Sequence, residues 1–238
     1  MEHSGSGKKR MIWSVRRPWV TGALVVVVLA TALTIAVGVR AQSADVTRCE
    51  RFAADSRERA ATVTGSGQRV VVIGDSWSAG LGLDRSAGSW PSRLGGAVHV
   101  AGFSGSGFSA GASPCGRVSF ADRAPRALRG GADLVVVEGG LNDYDQPDAD
   151  IRAGFARLVR ELRGQRVVVV GPATAPSRAA AVPHIDALLA SLAARYDLAY
   201  VSTTGLDLPY LPDRLHLTPA GHVEFGDYVA GRIGDLLG

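Results

Sequence analysis

Three runs of β-branched residues, each stopped by glycine, constrain this chain more than anything else in it: VVVIG at 70–74, DLVVVEGG at 133–140 and RVVVVG at 166–171. A strand half open to water alternates apolar and polar residues. These do not alternate, so both of their faces must be covered, which favours a parallel sheet with helices on each side. Two weaker runs, AVHVAG at 97–102 and LAYVS at 198–202, bring the strand count to five. Helical patterns fall between them. A segment at 122–129 precedes the third strand, and one at 148–163 places Ile151, Phe155, Leu158, Val159 and Leu162 on one side. Another covers 182–195, and the last starts after Thr218 as cap with Pro219 in its first turn. Strands alternating with helices predict an α/β fold, a three-layer α/β/α sandwich around a five-stranded parallel sheet. At 238 residues there is room for one such domain and a modest appendage.

The appendage is N-terminal and holds the excess positive charge. Residues 1–40 contain Lys8, Lys9, Arg10, Arg16, Arg17 and Arg40 against Glu2 alone, whereas the rest of the chain has 20 basic and 21 acidic residues. A nearly neutral domain without lysine argues against nucleic acid as a partner. The uncharged run from Trp19 to Val39 has 21 residues, enough for a helix to cross a bilayer, and the KKR and RR clusters before it would keep the N-terminus inside. This predicts a basic cytoplasmic tail over 1–18, a transmembrane signal anchor or uncleaved signal sequence over 19–39, a juxtamembrane linker and helix over 40–68, and a domain over 69–238. The domain would be extracytoplasmic, with the membrane as partner through the N-terminal helix. Cleavage after Val39-Arg40-Ala41, giving a secreted protein, is the competing reading. Cys49 and Cys115 are the two cysteines. An oxidising compartment would allow them to pair, the alternative being two unpaired small apolar residues. No histidine and cysteine cluster has metal-ligand spacing, so no metal is expected.

Ligands of open α/β sheets bind beyond the C-terminal ends of the strands. Four polar stretches fall there: GDSWS, GFSGSG, GGLND and the PDRLH loop. Asp213 and His216 are three residues apart, a spacing at which a carboxylate can hold one imidazole tautomer and leave the other ring nitrogen as a base. Ser76 directly follows a central strand and is the best placed hydroxyl for such a base to activate. Each residue also has a plainer reading. Asp75 and Ser76 are both good helix caps, Asn142 and Asp143 are turn formers, and His216 by itself would be a surface histidine. His222 falls inside the last helix and reads as structural or rim-lining, while His99 and His184 belong to no motif. The elbow G-x-S-x-G of ordinary α/β-hydrolases is absent, since Ser78 stands where its second glycine would be.

In combination, GDS at 74–76, SGSG with Gly105, GLND at 140–143 and DRLH at 213–216 resemble, in order and approximate spacing, the blocks of the GDSL/SGNH hydrolase superfamily over about residues 69–236. The resemblance implies a flavodoxin-like sheet of order 2-1-3-4-5, with Ser76 as nucleophile, His216 as general base and Asp213 as its orienting partner. It also implies an oxyanion hole made by the backbone N–H groups of Ser76 and Gly105 and the side-chain amide of Asn142. Gly102 and Gly107 are rivals for the Gly105 role. The implied activity is serine ester hydrolysis through an acyl-enzyme, on a lipid, an O-acylated glycan or a small ester, without metal or organic cofactor. Thioesterase or lysophospholipase activity lies within the same chemistry, and a catalytically silent carbohydrate-binding or envelope-scaffold module is the reading from another class. No Walker pattern follows the strand, which disfavours phosphate cradling. Trp77, Trp90, Phe103 and Phe108 are candidates for an apolar groove wall or for the core.

Overall fold

The structure is a computed structural model and describes Met1 and residues 18–237. It forms two units, residues 1–44 and residues 45–238. Five strands make one parallel sheet: β1 (Arg69–Gly74), β2 (Ala97–Gly102), β3 (Leu134–Glu138), β4 (Val167–Val170) and β5 (Ala199–Val201). Their order is β2-β1-β3-β4-β5, the order that the motif resemblance implies. The helices are α1 (Pro18–Ala61), α2 (Ser76–Ala79), α3 (Phe120–Ala127), α4 (Asp148–Glu161), α5 (Val182–Arg195) and α6 (Pro219–Leu237). Between β1 and β2 a short 3₁₀ turn spans Trp90–Arg93.

Alternation along the strands splits the core into two layers, one on each face of the sheet. Val70, Val72, Val98, Val136, Val168 and Val170 pack with Trp77, Trp90 and with Phe225, Val229 and Ile233 of α6. On the opposite face Val71, Ile73, Val135, Val137, Val167 and Val169 meet Phe120 of α3, Phe155 and Leu158 of α4, and Ile185, Leu189 and Leu192 of α5. Trp77, Trp90 and Phe108, which the sequence left between groove wall and core, are core residues with at most 1% of their surface exposed. Phe103 is buried as well. Both layers end at the same rim, where the loops after β1, β2 and β3 emerge.

The structure corrects the reading of the run from Trp19 to Val39. Among the described residues no helix is both long and apolar enough to cross a membrane. The run is not an element of its own: it falls within α1, which extends to Ala61 and carries Arg40, Asp45, Arg48, Glu50 and Arg51 after the apolar stretch. The transmembrane anchor, the membrane as partner through this helix, and the single-pass placement with the N-terminus inside are therefore corrected. The basic tail expected over 1–18 lies outside the described residues except for Met1 and Pro18. Cys49 and Cys115 are joined in a disulfide with their Cα atoms 5.3 Å apart, which ties the last part of α1 to the loop after β2.

Candidate active site

β1 ends at Gly74 and the chain turns at once into α2. Asp75 caps that helix: its carboxylate accepts the backbone N–H of Trp77 at 2.9 Å. The plainer reading of Asp75 is thus correct, and the cap fixes the next residue, Ser76, at the rim. Ser76 Oγ lies 3.1 Å from His216 Nε2, and His216 Nδ1 lies 2.6 Å from Asp213 Oδ2. Asp213 Oδ1 also accepts the backbone N–H groups of Leu215 and His216, at 3.0 and 2.9 Å. A carboxylate held by its own loop accepts from Nδ1–H, and this leaves Nε2 as acceptor for the serine hydroxyl. Partial burial acts to raise the Asp213 pKa, but the His216 ring and the two backbone donors outweigh it and hold the group below the usual carboxylate value.

A pocket of about 380 Å³ opens over this pair, lined by Ser76, His216, Gly105, Asn142 and Leu215, with Phe52 and Cys115 in its wall. Of Gly102, Gly105 and Gly107, Gly105 is the one that lines the pocket, and its φ of +78° is a conformation that side chains disfavour. The two rivals are glycines for steric reasons elsewhere. A Cβ on Gly102 would stand 2.5 Å from the Ala79 backbone nitrogen, and one on Gly107 would stand 2.5 Å from the Asp143 carboxylate. Asn142 reaches the same rim, but Nδ2 already donates to Ser106 O at 2.9 Å and to Asp75 Oδ2 at 3.2 Å.

Asp143, which the sequence offered only as a turn former, and Arg123, which belongs to no motif, hold the loop of Gly105 in place. Asp143 accepts the backbone N–H groups of Ser109 at 2.7 Å and Phe108 at 3.0 Å, and burial pushes its pKa up to about 6 against those two donors. Arg123 of α3 donates to Gly74 O, Ala101 O, Val118 O and Ser106 Oγ, so one guanidinium joins the ends of β1 and β2 to the loop. Burial lowers its pKa to about 10, opposed by Asp75 and Asp122. Spacing gave no sign of either role, although an arginine on the buried side of a predicted helix was a usable signal.

A second serine lies behind the first. Ser78 Oγ donates to Glu138 Oε2 at 2.6 Å, and Trp90 Nε1 donates to both, at 3.1 and 3.3 Å. His222 accepts the backbone N–H of Trp90 on Nδ1 at 3.3 Å, and burial lowers its pKa to about 4, so the ring is neutral and structural. Ser78 is fully buried and Glu138 is 2% exposed, so this network faces no substrate and positions α2 against β3. Glu138 was legible in the sequence as the one acid inside an apolar strand. His99 contacts Arg69 and His184 contacts Asp148, both away from the pocket. Among the described residues no cluster of ligands could hold a metal ion.

The fold and the rim geometry agree with a family match: residues 72–223 fit the GDSL-like lipase/acylhydrolase family. The chain belongs to that family. No curated protein matches it. Among solved structures it resembles a carbohydrate acetylesterase from Sinorhizobium meliloti, at 20% identity and a TM-score of 0.58, over 72% of this chain and all of the other. An aryl esterase from M. smegmatis matches at 21% identity and a TM-score of 0.56, again over 72% of this chain and all of its own. TesA matches at 24% identity and a TM-score of 0.58, over 71% of this chain and all of its own. At these identities the three share the fold of this GDSL-family chain.

Proposed function

We propose that this GDSL-family serine hydrolase cleaves acyl esters through an acyl-enzyme on Ser76, with His216 as base and Asp213 as its orienting partner. The observation that carries the reading is the unbroken chain Ser76 Oγ, His216 Nε2, His216 Nδ1, Asp213 Oδ2 at the floor of an open pocket. As Oγ attacks the ester carbonyl, its proton passes to His216 Nε2 and negative charge collects on the former carbonyl oxygen. The backbone N–H groups of Ser76 and Gly105 and the Asn142 amide are the donors for that oxygen, the amide giving up its longer contact, the one to Asp75. Collapse expels the alcohol, which takes the proton from His216. Water, deprotonated by the same nitrogen, then attacks the acyl-enzyme and releases the acid and the serine. The chain's own residues supply every proton transfer in this sequence.

The pocket has a volume of only about 380 Å³, which supports small acyl groups over long lipid chains. The likeness to the Sinorhizobium carbohydrate acetylesterase and the M. smegmatis aryl esterase supports the same choice. The Cys49–Cys115 disulfide suits an oxidising compartment. Hydrolysis of p-nitrophenyl acetate and labelling by a fluorophosphonate probe are expected for the wild type and should both vanish in Ser76→Ala. Full esterase activity in that variant would sink the mechanism, and a wild type inert to the probe would point to a silent binding module. An acetyl-to-palmitoyl series should peak at the short end.

A further inference from the structure

The pocket above Ser76 has a charged rim of its own, and its cations are not equivalent. Arg48 is paired with Asp45 at 2.7 Å. Asp145, the carboxylate on the same rim, accepts the Gln146 side-chain amide at 2.9 Å. Arg178 has neither kind of partner among the described residues. Its guanidinium lies over the Tyr144 ring, 3.5 Å from the centroid, and Tyr144 sits two residues after Asn142 with 40% of its surface exposed. The Arg178 Nε is covered from water and has no hydrogen-bond acceptor.

Each of these facts bears on a ligand. Stacking on an aromatic face occupies the flat side of a guanidinium and leaves its in-plane N–H groups free, in a fork that matches a carboxylate. Nε is covered from water and so from a ligand as well, which leaves the terminal Nη groups as the part of the fork that an incoming oxyanion meets. Arg178 and Tyr144 line the same pocket as Ser76 and His216, so an anion held there belongs to the molecule whose ester is being cleaved. Resting on the esterase reading above, we propose that Arg178, stacked on Tyr144, selects ester substrates that carry an oxyanionic group such as a carboxylate. Arg178 is a specificity residue for one end of the substrate.

The test is a ratio within each enzyme. kcat/KM is measured for 3-acetoxybenzoate against 3-acetoxybenzamide, which carry the charge or its neutral counterpart on the alcohol side, and for monomethyl adipate against methyl adipamate, which carry it on the acyl side. The wild type should favour the charged member of at least one pair, and the ratio should fall as NaCl rises from about 50 to 500 mM. In Arg178→Gln that ratio should drop by roughly 10-fold or more, and Arg178→Lys, which keeps the charge without the fork, should restore part of it. An unchanged ratio in Arg178→Gln, or a wild type that favours the neutral member of both pairs, overturns the proposal while leaving the esterase reading intact. A wild type that turns over none of the four esters nor p-nitrophenyl acetate overturns both. If Arg178→Gln does not fold, Arg178→Lys and the salt dependence of the wild-type ratio decide.

Discussion

Ser76 shows how far a residue can be read from its neighbours. In the sequence it is a capping residue after a strand, and the cap turns out to be Asp75, whose bond to Trp77 leaves the Ser76 hydroxyl free to face His216. The partners 137 and 140 residues away were legible because their motifs travel together. Glycine register was not, because it depends on what a Cβ would touch: Ala79 at Gly102, Asp143 at Gly107, and only Phe52 and Ser113 of the pocket wall, at 3.9 Å, at Gly105. Glu138 stood out as an acid in an apolar strand, but its partners, like those of Arg123, escaped for a similar reason, since they are distant in sequence. Asn142 offers the sharpest test at this scale. In the proposed mechanism it lends one N–H to a transition state and little to the ground state, so Asn142→Ala should lower kcat by about 10²–10³-fold with KM nearly unchanged. Steady-state kinetics on p-nitrophenyl acetate would show it, and a rise in KM with kcat intact would remove Asn142 from the oxyanion site.

At the scale of elements, the five strands and the helices after them were legible to within a few residues, because uninterrupted valine runs between glycines permit few other structures. The apolar run of α1 misled for the same reason it stood out: it was read as an element of its own, with the charged stretch after it as a separate linker and helix, whereas both belong to one helix that runs to Ala61. The cysteines left pairing open, and the structure closes it. That bond joins residues 66 apart, for which chain entropy alone gives about 4 kcal/mol and measured losses run about 2–5 kcal/mol. It also has a local consequence, since Phe52, one turn after Cys49, and Cys115 itself are part of the pocket wall. A Cys49→Ala, Cys115→Ala double variant should lose about 2–4 kcal/mol in denaturant melts. Its KM should rise while kcat holds, because β1 and the loop before α6 carry Ser76 and His216 without help from α1. A fall in kcat with KM unchanged would show that the bond supports the reacting groups themselves.

For the molecule as a whole, the unusual feature is acid buried at the centre of the sheet. Gly74 and Glu138 are partners across β1 and β3, so Asp75, Glu138 and Asp143 all lie within or just beyond the two central strands. Burial raises all three pKa values, Glu138 to about 7, Asp143 to about 6 and Asp75 well above its usual value, where the neighbouring Glu138 adds to the effect. A carboxyl whose folded pKa exceeds its unfolded one binds its proton more tightly in the folded state. Its contribution to stability is complete below the unfolded value near 4 and is lost as pH rises through the folded value. Asp213 and Asp122 act in the opposite sense: their depressed pKa values give stability above about pH 4 that is lost on further acidification. The two sets together place maximum stability at mildly acidic pH, with a decline of about 1.4 kcal/mol per pH unit for each proton released between there and neutrality. Glu138→Gln isolates one proton, because the amide oxygen can still accept from Ser78 and Trp90. Its thermal melting profile should be flatter than that of the wild type between about pH 5 and 8. An identical pH profile for the two proteins would mean that Glu138 stays ionised in the folded state, and that its Ser78 and Trp90 donors outweigh desolvation.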